Sequence, residues 1–164
     1  MKQEIFAEIA ALKHRINRLE KMFNPPNKRW RAEKGYGYYY ITARGLVEAK
    51  TEAGLDLDNS RYEFGNYFQT REQAEFEVER LKVIAELREF ATPISEFDWT
   101  DTNQNKCMLS LDVYGLEINT YYTYQSSDLV FESEEVARDA IEAVGEERII
   151  KYYFRRGENN ADNN

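Results

Sequence analysis

Along the first 23 residues apolar side chains recur at Ile5, Ile9, Leu12, Ile16, Leu19 and Phe23, with spacings that alternate between four and three. That alternation is the seam of a heptad repeat. With Ile9, Ile16 and Phe23 at a, the d positions hold Ile5, Leu12 and Leu19. A β-branched residue at a with Leu at d favours a parallel two-stranded pairing. In this register Glu8 and Arg15 occupy g, and Lys13 and Glu20 occupy the e positions a partner would bring against them. Both pairs then join opposite charges. The helix over 1–23 is therefore expected to dimerise the chain rather than to dock on its own body, and His14, at f, faces solvent. Asn24-Pro25-Pro26-Asn27 ends the helix, because proline lacks an amide donor and restricts the residue before it.

Beyond a basic linker over 24–34, the pattern turns to short strands and capped helices. Tyr38 to Thr42 reads as a strand by composition, Gly45 as a turn, and Leu46-Val47 as the start of the return. A polar loop through Gly54 and Asp56 to Asn59 follows, and Arg61 to Phe68 reads as another extended segment. Thr70-Arg71-Glu72-Gln73 is a capping box that opens a helix to about Ala91, with Ala74, Val78, Leu81, Ala85 and Leu87 as its buried stripe.

The second half repeats the plan. Cys107–Tyr114 and Leu116–Tyr124 form a hairpin around Gly115, Leu129–Phe131 is extended, and Ser133 caps a helix ending near Gly145. At an offset of 63, Phe68, Thr70, Glu72, Ala74, Val78 and Leu81 superpose on Phe131, Ser133, Glu135, Ala137, Ile141 and Val144. The expected fold class is α+β: a coiled-coil-like helix, then two β-hairpin–helix units (about 35–91 and 97–154) in one body over 35–154. Glu146 to Phe154 adds a short final helix, and 155–164 reads as a disordered tail.

Charge sharpens this division. Residues 1–34 hold nine Lys/Arg against four Asp/Glu, a balance of +5, whereas residues 35–164 hold thirteen against twenty-six, a balance of −13. A basic arm is thus joined to an acidic body. The single cysteine, Cys107, rules out an intrachain disulfide and reads as a small buried hydrophobe. No apolar run approaches the roughly 18 residues a membrane span needs, and no signal core opens the chain. The expected location is a reducing cytoplasm.

Three segments carry a resemblance: WRAEKGYGYYYI at 30–41, RYEFGNYFQTREQAE at 61–75, and FESEEVARDAIEAVGEERIIKYYF at 131–154. In this order they resemble hypothetical proteins of phages and prophages of Gram-positive bacteria, a loose family without an assigned activity. The resemblance implies a mobile-element origin and carries over no catalytic residue.

The usual chemistries find few residues to use. His14 is the only histidine and sits on the arm, which leaves a nucleophile without its base. Gly35-Tyr36-Gly37 lacks the Lys-Ser/Thr of a phosphate loop, and no His/Cys set offers metal ligands. Asp98, Asp101 and Asp112 are the candidates for an all-carboxylate magnesium site, and read as solvated surface acids. The expectation is a protein without catalytic residues, metal or cofactor.

Two binding surfaces remain. Glu72, Glu75 and Glu79 crowd one helix, with Glu77; Glu132, Glu134, Glu135 and Asp139 crowd the other, with Glu142. Such a surface repels DNA and is attracted to basic grooves. The alternative surface is Lys28, Arg29, Trp30, Arg31 and Lys34 beside a tyrosine run, a mixture able to neutralise phosphates and stack on bases. The leading expectation is a homodimeric phage accessory protein in the host cytoplasm. It would inhibit a basic, nucleic-acid-processing host defence protein, a nuclease such as a CRISPR effector, by occupying its nucleic-acid channel. A nucleic-acid-binding role for the basic arm, or a part in the virion or its assembly, are the alternatives.

Overall fold

The structure is a computed structural model that describes residues 12, 13, 15, 16, 29–125 and 127–156. Among these, two antiparallel hairpins and a set of helices form an α+β body. Strand β1 (Gly37–Ile41) pairs with β2 (Val47–Thr51), Tyr39 opposite Ala49. Helix α1 (Asp56–Glu63) and helix α2 (Arg71–Arg88) follow. Strand β3 (Lys106–Leu111) pairs with β4 (Leu116–Tyr121), Leu109 opposite Ile118. Helix α3 (Glu134–Val144), the short α4 (Glu146–Arg148) and one π-helical turn (Ile149–Tyr153) complete the body. No described helix is long and apolar enough to cross a membrane.

The internal repeat has a geometric counterpart. Tyr39 and Phe68 exchange two backbone hydrogen bonds of 2.9 Å, and Cys107 and Phe131 exchange bonds of 2.9 and 2.8 Å. In each unit the aromatic residue thus adds a third, one-residue rung to the hairpin. Two residues later a hydroxyl caps the helix: Thr70 Oγ1 accepts from the Gln73 amide at 3.3 Å, and Ser133 Oγ from the Val136 amide at 3.2 Å. These caps satisfy amides the helix cannot pair internally. Ala74 and Ala137 are both fully buried one turn on. Gly145, at φ +94°, ends α3 and redirects the chain into α4.

Two readings of the first unit need correction. The segment Arg61–Phe68 is not extended, because α1 runs through Glu63 and only Phe68 makes a strand-like bridge. Its sequence, DLDNSRYE, has no apolar stripe, so periodicity could not reveal it. The helix forms around Asp58, whose carboxylate accepts the amides of Ala53 (3.1 Å) and Leu55 (3.2 Å). Leu55 at the N-cap offers no side-chain oxygen, and Asp58 takes the capping role at this helix start.

The buried stripe of α2 also differs. Ala74 and Leu87 are buried, but Leu81 and Ala85 are exposed, and the principal contact runs through Val83 and Leu87, flanked by Phe76, Arg80 and Ile84. At 100° per residue that set lies nearly opposite Ala74, Val78, Leu81 and Ala85. The reason is that α2 serves two partners, packing against β1 and β2 and also against α3 and the π-helical turn. Val83 and Leu87 share the main core with Cys107, Leu109, Phe131, Ala140 and Ile149. A smaller cluster of Ala32, Tyr38 and Tyr67 sits under the first hairpin. Phe97, Met108 and Val130 form a third beneath the second.

Candidate partner-binding surfaces

The basic stretch after the arm is largely built into the fold. Arg31 donates to both oxygens of the buried Glu52 carboxylate, at 3.0 and 3.3 Å, and to Asn59 Oδ1 at 2.7 Å. Glu52 also accepts the Tyr67 hydroxyl (2.7 Å) and the Gly54 amide (2.7 Å). The Arg31 hydrogen bonds, helped by Tyr67, Gly54 and the Arg31 charge, outweigh burial and hold the Glu52 carboxyl below its ordinary range. Burial first, then Glu52, pushes the Tyr67 hydroxyl well up. Trp30 stays 40% exposed with its ring 5.9 Å from that of Tyr67. Arg29 lies over the Tyr62 ring at 4.6 Å and reaches the Glu63 carbonyl at 3.4 Å. Lys34 is exposed, and Lys28 falls outside the described residues.

The neighbouring tyrosines are structural as well. Tyr38 is fully buried, stacks on Tyr67 at 3.9 Å, and donates its hydroxyl to Asp58 at 2.7 Å while accepting from Arg61 at 2.8 Å. Arg61 also covers the Tyr40 ring at 3.5 Å. Burial pulls the Asp58 carboxyl up, but the Tyr38 hydroxyl, the Ala53 and Leu55 amides and the Arg61 charge together hold it below the usual range. Across the main core, Glu86 is held down in the same way by Arg148, at 2.6 and 3.0 Å.

These three depressed carboxyls set the expected acid response. The unfolded chain binds protons that the folded chain does not, so their stabilisation is complete above the ordinary carboxylate pKa of about 4. It is lost progressively as pH falls through the lowered folded values. The urea midpoint should therefore be flat near neutrality and drop over the acid interval below about pH 4.5. A midpoint unchanged over that interval contradicts the network.

The acidic residues divide into paired and unpaired. Glu75 holds Arg71 at 3.1 Å, Glu79 holds Lys82 at 2.6 Å, and Glu134 holds Arg138 at 2.9 Å. Such exposed pairs contribute little stability but partly neutralise the surface. Glu72 is exposed at the start of α2, where its own backbone amide and the Thr70 hydroxyl hold its carboxyl down. Glu132, Glu135 and Asp139 are exposed at and just before α3 and make no ion pair among the described residues. Since α2 and α3 pack together through their apolar sides, both present their acids outward.

The remaining candidates lie in turns. Asp98 accepts from the amide (2.8 Å) and hydroxyl (2.7 Å) of Thr100, and Asp101 from the Asn103 amide (2.8 Å). Asp112 accepts from the amides of Tyr114 (2.7 Å) and Gly115 (3.1 Å) at the hairpin tip. The loop over 98–105 closes on a cation of its own. Lys106, fully buried, donates to the Asp101 and Gln104 carbonyls at 3.0 Å each and lies 5.7 Å from the Trp99 ring. Cys107 is 1% exposed, with Sγ 3.5 Å from Thr120 Oγ1.

On the arm, Leu12 and Ile16 are helical and 54% and 53% exposed, so the body does not cover that part of the seam. Ile5, Ile9, Leu19, Phe23 and His14 lie outside the described residues. Set against protein-family models, curated proteins and solved structures, the chain matches none of them.

Proposed function

We propose that this is a phage-encoded, non-enzymatic binding protein of the host cytoplasm that inhibits a host defence protein. Its acidic helices would stand in for phosphates in the basic nucleic-acid channel of that partner, a nuclease such as a CRISPR effector. The observation that supports this reading is the clustering of Glu132, Glu135 and Asp139 at and just before α3, all exposed and without an ion pair among the described residues. Charges left without counter-ions generate the long-range field that steers a basic partner. The competing basic surface is weakened by the same geometry, because Arg31 is held on Glu52 and Arg29 on Tyr62.

The arm would make the inhibitor bivalent. Two acidic bodies joined through the seam raise the effective concentration of the second contact without adding a new one. Replacing Leu12 and Ile16 by Glu should give a monomer in sedimentation, with inhibitory potency lowered about tenfold or more. A monomer that inhibits as well as the parent removes the bivalent part. Salt-sensitive affinity capture of a basic host protein tests the reading as a whole.

A further inference from the structure

A cleft of about 630 Å³ opens between α2, the loop after β4 and the C-terminal π-helical turn. Its lining distinguishes it from an ordinary crevice. Its α2 wall presents Arg80, Ile84 and Arg88, residues four apart and therefore on one helix face. Glu77 takes Arg80 through Nε alone, at 3.0 and 3.1 Å, and Arg88 is exposed with no ion pair among the described residues. In a body with twice as many acids as bases, two guanidiniums at one cleft are out of character.

Part of the lining is aromatic. Tyr153 and Phe154 form it, edge to face with ring centroids 4.8 Å apart. They belong to a stretch with unusual backbone: Tyr153 closes the π-helical turn, and Arg155 just beyond has φ +54°. Both conformations are uncommon and concentrate at binding sites. The buried Leu109 and Leu129 add apolar lining. Ser127 Oγ, 2.9 Å from the Tyr153 hydroxyl, and the exposed Asp128 carboxylate supply polar groups at one side.

From this arrangement we propose that the cleft binds a free mononucleotide. Arg88 and the η nitrogens of Arg80 suit a phosphate, for which the guanidinium fork is matched. Tyr153 and Phe154 suit a planar base, and Asp128 accepts from sugar hydroxyls or a base amine. Inorganic phosphate would meet only the first of these groups, and the Asp128 carboxylate would oppose it. A fatty acid would find no partner for Asp128. The volume falls in the range of small-molecule sites. This site is separate from the exposed acids at α3 and does not depend on their role.

The test is isothermal titration of the full chain with the four ribonucleoside 5′-monophosphates, inorganic phosphate, adenosine and a single-stranded trinucleotide. At least one monophosphate should bind saturably, one per chain, and about tenfold or more tighter than phosphate or adenosine. Arg88→Glu and Arg88→Met should each weaken it by about tenfold or more. Their thermal midpoints should match the parent, because Arg88 is exposed and makes no ion pair among the described residues. Methyl NMR shifts confined to Ile84, Leu109 and Leu129 on addition of the nucleotide would place it in this cleft. Absence of binding by every monophosphate overturns the proposal, as does unchanged affinity in both Arg88 variants. Binding of the trinucleotide alone also overturns it, since a nucleic-acid strand would then be the ligand.

Discussion

Asp58→Ala is expected to destabilise the protein by about 3–5 kcal/mol in urea unfolding, the largest effect of any single exchange in the first unit. Asp58 is fully buried, and its two oxygens accept the Tyr38 hydroxyl and the amides of Ala53 and Leu55. Alanine would leave three donors without their partner and remove the carboxylate that accepts the N-cap amide at the start of α1. Arg61, which reaches this network through the Tyr38 hydroxyl, would lose the nearby negative charge. A loss of that size is a large share of the 5–15 kcal/mol that holds a typical domain folded. The exchange is best read in a double-mutant cycle with Tyr38→Phe, which removes one of the stranded donors and should recover part of the loss. Glu63→Ala, exposed on the same helix, should stay within about 0.5 kcal/mol of the parent. A loss below about 1 kcal/mol for Asp58→Ala would show that the network does not organise the unit.

The second large effect is expected in binding. Exchanging Glu132, Glu135 and Asp139 together for Lys should lower the association rate with a basic partner by about tenfold or more, and more at low salt. These carboxylates make no ion pair among the described residues, so their removal should leave the fold's stability nearly unchanged. The same exchange at Glu75, Glu79 and Glu134 is a weaker test of steering, since each already holds a lysine or arginine within 3.1 Å. Equal association rates for the Glu132/Glu135/Asp139 variant and the parent would separate the acidic surface from binding.

The elements were legible in the sequence wherever a local rule governed them. The capping residues Thr70 and Ser133, the turn at Gly115 and the aromatic ends at Phe68 and Phe131 all stand where the pattern places them. Helix α1 was not legible because its eight residues carry no apolar period and owe their form to the tertiary contact at Asp58. The stripe on α2 was misread for a related reason. Both faces of that helix carry apolar residues, and only the packing of the second unit decides that Val83 is buried and Leu81 is not.

The surfaces were legible only as composition. The acids could be counted, but which of them hold a neighbouring base depends on side-chain geometry along α2 and α3. Arg31 looked like a phosphate ligand because its partner, Glu52, lies 21 residues away across the first hairpin. Arg80 and Arg88 carry no signal in the sequence beyond their spacing along one face of a helix, since the cleft they line is completed by Tyr153 and Phe154 on a distant segment.

The most direct test of the proposed inhibition is affinity capture by the full chain from nuclease-treated host lysate, at low and at high salt, with mass spectrometry of the eluate. The account predicts one basic, nucleic-acid-processing protein, recovered without nucleic acid, released by salt, and no longer recovered by the Glu132, Glu135 and Asp139 variant. Recovery of nucleic acid alone, or of phage structural proteins alone, would contradict it and point to the basic stretch or to the virion instead.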